Sequence, residues 1–154
     1  MSETITLPNG RTFNVVSSTP AKATVAKRKA HRAIPKPLDG DPVERGTLTL
    51  SMAPPSVNSL FHNRKKGRGK TLAYRNWRAF ADRELRDQPS WHVPGKVRIT
   101  IRVGGSKADA DNLCKAPLDA LVSAGRISDD KHLVEVRAIH DPAVTGSRIE
   151  IEAA

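Results

Sequence analysis

The sequence predicts an α+β fold: a small mixed β-sheet with two helices on one face and a basic N-terminal extension. Three observations carry this expectation. Four segments alternate apolar and polar residues with the period of two that a half-buried strand requires: TLTLSM (47–52), KVRITIRV (96–103), LVEVRAIH (133–140) and SRIEIEA (147–153). Two segments between them have helical character, giving the order β–α–β–α–β–β, which suits helices laid on one face of a mixed sheet. Residues 1–46 stand apart from all of this, and residues 17–42 among them are rich in Pro, Ala and Lys.

Within that extension, ETITL and RTFNVV flank Pro8-Asn9-Gly10. Asn-Gly is a strong hairpin signal, and Ile5, Leu7, Phe13 and Val15 fall on alternating positions. Residues 17–42 carry no sustained period and read as an extended or disordered linker. The KRKAHR cluster in it is read either as a phosphate contact or as a solvated tether.

The main domain is expected over residues 47–154. After the first strand, Pro54 and Pro55 keep APPSVNSLF extended rather than helical. HNRKKGRGK (62–70) reads as a mobile basic loop with Arg64, Lys65, Lys66, Arg68 and Lys70. A helix should run from Leu72 to Arg86, because Tyr74, Trp77, Ala81 and Leu85 repeat at helical spacing with Phe80 beside them. That stripe is read as core rather than as a base-stacking platform, and Arg75, Arg78, Arg83 and Arg86 lie opposite it. In KVRITIRV the residues Val97, Ile99, Ile101 and Val103 share one face. DNLCKAPLDALVSAG (111–125) reads as the second helix, with Asp111 as N-cap and Gly125 as the stop. Pro117 requires an irregular first turn or a kink, since inside a helix it costs ~3 kcal/mol. RISDDKHL is a turn into the last two strands.

Composition narrows the function. There are 26 Lys and Arg against 16 Asp and Glu, for a net charge of +10 and a pI of about 10.3. Such an excess favours a polyanion, nucleic acid before a membrane surface. No apolar run approaches the roughly 18 residues of a membrane span, and MSETITLPNG lacks the pattern of a signal peptide. Cys114 is the only cysteine, which excludes an intrachain disulfide and a cysteine-built zinc site. A reducing cytoplasm fits. His31, His62, His92, His132 and His140 are scattered without ligand spacing.

Against this basic background, KADADNLCK (107–115) places Asp109 and Asp111 two residues apart, and Asp129 and Asp130 follow one short helix later. Like charges so close repel unless a cation lies between them. Side chains two apart in an extended segment share one side, and a helix of about a dozen residues is long enough to bring Asp129 and Asp130 back across the sheet. Oxygen ligands without His or Cys suit Mg²⁺ or Mn²⁺. Such an ion activates water for phosphodiester cleavage. Lys115, near the helix N-terminus, is placed to stabilise charge on the phosphate. The plain alternative is that Asp111 only caps a helix and Asp129–Asp130 only makes a turn. Asp119, eight residues past Asp111, points about 80° away from it on a helix and is expected to form a salt bridge or pack near the site. Asn58 either holds its loop or contacts DNA.

Pro54-Pro55-Ser56-Val57-Asn58, Tyr74-Arg75, Asp109-Ala110-Asp111-Asn112 with Lys115, Asp119-Ala120-Leu121, Gly125 and Asp129-Asp130 together resemble the RusA family of Holliday junction resolvases. The likeness runs from about Thr47 to Glu152. It implies a homodimeric, Mg²⁺- or Mn²⁺-dependent endonuclease that cuts four-way DNA junctions by paired, symmetric nicks. It also implies that Asp109, Asp111 and Asp130 bind metal and that Lys115 is the catalytic lysine, with Asp129 adjacent. A bacterial or phage-infected cytoplasm follows from the same likeness. DNA contacts are expected from Arg64, Lys65, Lys66, Arg68, Lys70 and Arg75. Two rival readings are a nuclease for another branched DNA and a non-catalytic basic DNA-binding protein; the second leaves the acids unexplained. For the dimer, an alternating strand such as RIEIEA offers an edge to pair across a two-fold axis, or residues 1–46 cover an edge instead.

Overall fold

A computed structural model describes the backbone of residues 3–6 and 12–15, and residues 38–154 apart from residue 66 and the side chain of Arg64. The chain divides into two units, Met1–Ala33 and Ile34–Ala154. In the first, strand β1 (Glu3–Thr6) pairs antiparallel with β2 (Thr12–Val15), Glu3 opposite Val15 and Thr6 opposite Thr12. The expected linker and its KRKAHR cluster lie outside the described residues.

The second unit opens with β3 (Asp41–Pro42) and β4 (Arg45–Leu50). A 3-10 turn, Val57–Ser59, leads into β5 (Phe61–Arg64) and β6 (Gly67–Lys70). Helix α1 (Leu72–Asp87) follows, then β7 (Trp91–His92) and β8 (Val97–Val103). A second 3-10 turn, Ala110–Leu113, precedes helix α2 (Lys115–Ser123). A third, Asp130–His132, precedes β9 (Leu133–His140), and β10 (Ser147–Ala153) comes last.

The main sheet has the order β4-β10-β8-β9. The pairs β4–β10 and β10–β8 are antiparallel, while β8–β9 is parallel, with α2 in the crossover. The sheet is therefore mixed, as expected. Its apolar face carries Leu48 and Leu50 from β4, Val97, Ile99, Ile101 and Val103 from β8, and Ile149 and Ile151 from β10, all buried. Tyr74, Trp77, Ala81 and Leu85 of α1 and Ala116, Leu118, Ala120 and Leu121 of α2 join them in one core cluster. The alternation of the strands and the stripe on α1 thus did what their periods required. The other face of the sheet stays polar, with Arg45, Thr47, Arg98, Thr100, Arg148 and Glu150 bordering one shallow pocket.

Side chains of α1 and its C-cap close the β4 edge. The Gln88 carboxamide accepts from Thr49 N at 2.9 Å and donates to Thr49 O at 2.8 Å, as a neighbouring strand would. Glu84 accepts from Ser51 N at 2.9 Å and from the Ser51 hydroxyl at 2.7 Å. An exposed row of unpaired backbone groups is thereby covered.

Four expectations need correction. HNRKKGRGK is not a loop: it forms the antiparallel hairpin β5–β6, with His62 opposite Gly69 and Arg64 opposite Gly67. Gly67, the first residue of β6, has φ +93°, a conformation open to glycine. APPSVNSLF is not extended throughout, since Ser56 caps the 3-10 turn after the prolines. Asp111 does not cap α2. That helix begins at Lys115, which puts Pro117 in its first turn, where no N–H is needed. Finally, β10 lies inside the sheet with a partner on each side, so RIEIEA has no free edge. The Gly125 stop is observed: φ is +73°, and Gly125 N and Arg126 N donate to Val122 O and Leu121 O.

Among the described residues, no helix is long and apolar enough to cross a membrane.

Candidate active site

The site is built around the N-terminus of α2. Lys115 is its first residue, so its side chain starts where the helix presents unpaired N–H groups. Its Nζ stands 2.8 Å from Asp119 Oδ1, one turn along the same helix, and 3.5 Å from Asp130 Oδ2 in the third 3-10 turn. The Asp119 hydrogen bond and the charges of Asp119 and Asp130 raise the Lys115 pKa, with partial burial opposing them. The lysine is thus firmly cationic.

Asp119 is oriented from its other side. Its Oδ2 accepts the Tyr74 hydroxyl at 2.9 Å, and Tyr74 is fully buried on α1. Burial, and then the hydrogen bond to Asp119, raise the Tyr74 pKa, so the phenol stays a donor. The expected salt bridge of Asp119 is present. By its spacing Tyr74 reads as core, yet its polar tip reaches the site; a buried tyrosine needing a partner is the signal that points there.

Asp109 and Asp111 do not lie on a strand. Asp109 sits six residues beyond β8, at the N-cap position of the turn Ala110–Leu113, and makes no side-chain cap bond. Both residues are exposed. Asp109 borders a pocket of about 330 Å³ at the ends of β8 and β9, with His140 and Asp141. The acidic turn packs against α2, β9 and the turn Val57–Ser59, so the Pro-Pro-Ser-Val-Asn segment supports it. Asn58 is exposed and contributes its backbone N–H to Ser56 Oγ at 3.4 Å.

Asp129 is committed elsewhere. Its Oδ1 accepts from Lys131 N at 3.1 Å and its Oδ2 stands 3.0 Å from Lys131 Nζ. The Lys131 backbone bond, and then the side-chain bond, hold its pKa down at about 2. The structure therefore brings Lys115, Asp119 and Asp130 together and turns Asp129 toward Lys131. Among the described residues, no three acid, His or Cys side chains stand close enough to grip one ion as they are. The donors themselves, carboxylate oxygens on short turns, are of the kind that hard divalent cations take.

The basic hairpin stands just before α1. Arg68 lies 5.7 Å over the Phe61 ring and Lys70 5.5 Å over the Tyr74 ring, and those two rings meet edge to face. Thr71 ties hairpin to helix: its hydroxyl donates to Ser59 O at 2.7 Å and accepts from Tyr74 N at 3.1 Å. Lys65, Arg68, Lys70 and Arg75 are exposed, while Lys66 and the Arg64 side chain lie outside the described residues.

A cationic lysine between two acids at a helix N-terminus, beside a basic ribbon on a strongly basic chain, suits chemistry on a phosphodiester backbone. The chain belongs to the RusA family. The model of that family, described as endodeoxyribonuclease RusA, matches residues 52–153. The chain is 29% identical over 110 residues to the crossover junction endodeoxyribonuclease RusA of Escherichia coli K12, covering 68% of this chain and 92% of that protein. It is 33% identical over 110 residues to the protein of the same name from Shigella sonnei, with the same coverage. To that from Enterobacteria phage 82 it is 33% identical over 106 residues, covering 64% of this chain and 85% of the phage protein.

Proposed function

We propose that this chain resolves four-way DNA junctions by paired, symmetric phosphodiester cleavage. Asp109, Asp111 and Asp130 serve as metal-binding acids and Lys115 as the catalytic lysine. The work is done by residues 47–154, with residues 1–46 as an extension. The observation that carries the reading is Lys115 at the head of α2, within 3.5 Å of Asp130, in a chain of the RusA family.

The donor set suits Mg²⁺ or Mn²⁺, which when bound supplies an activated water and neutralises charge on the phosphate. The chain's own residues do the rest. Lys115 offers a cation to the developing charge, assisted by the N–H groups at the start of α2. The hairpin residues Arg64, Lys65, Lys66, Arg68 and Lys70, with Arg75, grip the phosphate backbone. A two-stranded ribbon is also of a width that a major groove admits.

A junction presents two equivalent strands, related by a two-fold axis. A C2 homodimer holds one site on each, so both cuts fall within one bound complex. The test is a nicking assay on four-way and linear DNA, with Mg²⁺, Mn²⁺ or EDTA, beside sedimentation of the free and bound protein. Paired nicks on the junction alone, dependent on metal and made by a dimer, are expected. Equal cleavage of linear DNA would favour a nuclease of another specificity, and junction binding without any metal-dependent cut would favour a DNA-binding protein.

A further inference from the structure

Lys115 has two carboxylate neighbours, and they are unequal. Asp119 holds it at 2.8 Å and Asp130 stands at 3.5 Å. We propose that Asp119 is a positioning residue that draws Lys115 aside from Asp130 and so leaves Asp130 available to a divalent cation. The inference rests on the reading of Asp130 as a metal-binding acid and goes one residue beyond it.

An ammonium and a metal ion compete for the same carboxylate oxygens, and a lysine seated on Asp130 must be displaced before metal can bind there. Lys115 has a long, flexible side chain. With no fixed partner it would settle on the nearest acid, which apart from Asp119 is Asp130. Asp119 supplies that fixed partner because both of its oxygens are assigned. Oδ2 takes the hydroxyl of Tyr74, whose ring is locked in the core at 0% exposure, and Oδ1 faces Lys115. Tyr74 in turn is placed by the start of α1, where its N–H caps onto Thr71. A relay of side chains thus runs from a rigid helix through Tyr74 and Asp119 to the lysine. The pair Lys115 and Asp119 is also at i, i+4 on α2, the spacing at which helix side chains meet. The lysine keeps only the longer of its two pairs, 3.5 Å to Asp130, which is where a cation acting on a phosphate beside a metal is needed.

Metal affinity separates action through Lys115 from a simple effect of negative charge. Mn²⁺ binding to the protein without DNA is measured by the loss of the free-ion electron paramagnetic resonance signal. The proteins compared are the unsubstituted chain, Asp119→Asn, Lys115→Ala, the double variant and Tyr74→Phe. Asp119→Asn is nearly isosteric, and thermal melts verify that each variant is folded. Asp119→Asn should weaken Mn²⁺ binding about ten-fold, within the range of coupling between contacting residues. Tyr74→Phe should act in the same direction, by about three-fold, because one hydrogen bond to Asp119 is gone. Lys115→Ala should bind Mn²⁺ at least as tightly as the unsubstituted chain, and adding Asp119→Asn to it should change the affinity less than about two-fold.

Equal weakening by Asp119→Asn with and without Lys115 would overturn the proposal, since the effect would then be direct charge. So would an unchanged affinity of Asp119→Asn. If the unsubstituted chain binds no Mn²⁺, the metal reading fails and the proposal with it. If Lys115→Ala alters neither Mn²⁺ affinity nor junction cleavage, it is the assignment of Lys115 that fails.

Discussion

The guanidinium of Arg126 lies 5.4 Å over the ring of Trp91 and donates to that residue's own carbonyl oxygen at 2.9 Å. Its Nη2 also donates to Leu85 O at 2.7 Å, and Nη1 stands 3.5 Å from Asp39 Oδ2. With the side chain only 1% exposed, one cation joins the end of α1, the short strand β7 and the approach to β3. Burial lowers its pKa, and Asp39 opposes the shift. Arg126→Ala would leave these carbonyls unpaired in the core and should cost about 3 kcal/mol of stability, read from urea unfolding. Lys, which lacks the planar fork, should restore only part of it. A loss below about 1 kcal/mol would show that water replaces the arginine at little cost.

Asp109→Asn, Asp111→Asn and Asp130→Asn should each nearly abolish cleavage while leaving junction affinity equal or higher. On the proposed reading, each change removes a negative charge that would hold metal but repels phosphate. Single-turnover cleavage and gel-shift affinity, measured on the same junction, separate the two effects. Substantial Mg²⁺-dependent cleavage by Asp111→Asn would remove that residue from the site.

Lys65 and Arg68 are exposed on the hairpin and should pair with phosphates rather than take part in the chemistry. On duplex arms, each phosphate that a side chain no longer neutralises lowers the slope of log affinity against log salt by ~0.9. Replacing both with Ala should therefore reduce the slope by about 1.8 and weaken binding alike across sequences. An unchanged slope would mean that the ribbon does not touch DNA.

Asp129 gives a pH dependence of known sign. Its folded pKa, about 2, lies below the ~3.9 of a free aspartate. Its support of the turn Asp130–His132 is therefore complete above about pH 4 and is lost as pH falls toward the folded value. Carboxyl resonances followed by nuclear magnetic resonance should place its midpoint near 2, with the Lys131 amide shifting in step. A midpoint near that of a free aspartate would show that the Lys131 bonds are not formed in solution.

Much of this architecture was legible from periodicity, and the failures have common causes. Alternation in KVRITIRV and SRIEIEA tells which face is buried but not which strand lies alongside, so the internal place of β10 could not be read. The hairpin β5–β6 has no apolar alternation: two glycines and its basic residues hide it. What it does have is Phe61 against Tyr74 and Arg68 over Phe61, contacts with residues well separated in sequence or across the ribbon. The start of α2 was written in Pro117, which fits a first turn and so argues for Lys115 over Asp111 as the beginning. In the site, the i, i+4 relation of Lys115 and Asp119 was available from spacing alone. The approach of Asp130 to Lys115, and the reach of Tyr74 to Asp119, depend on how the third 3-10 turn and α1 settle on α2, and no local pattern encodes that.

The central position of β10 also fixes when the enzyme can come into being. Thr49 must wait for Arg148, and Thr100 for Glu150, before either finds its partner across the sheet. A nascent chain still lacking residues 147–153 has β4 and β8 as two separate strands with nothing between them, and α1 and α2 have no continuous apolar floor to rest on. Ribosomes therefore deliver Asp109, Asp111, Asp119, Asp130 and Lys115 well before the scaffold that aligns them can close. A polypeptide released early, at Val144 for example, should therefore bind DNA through its basic charge without a cooperative unfolding transition or a cut.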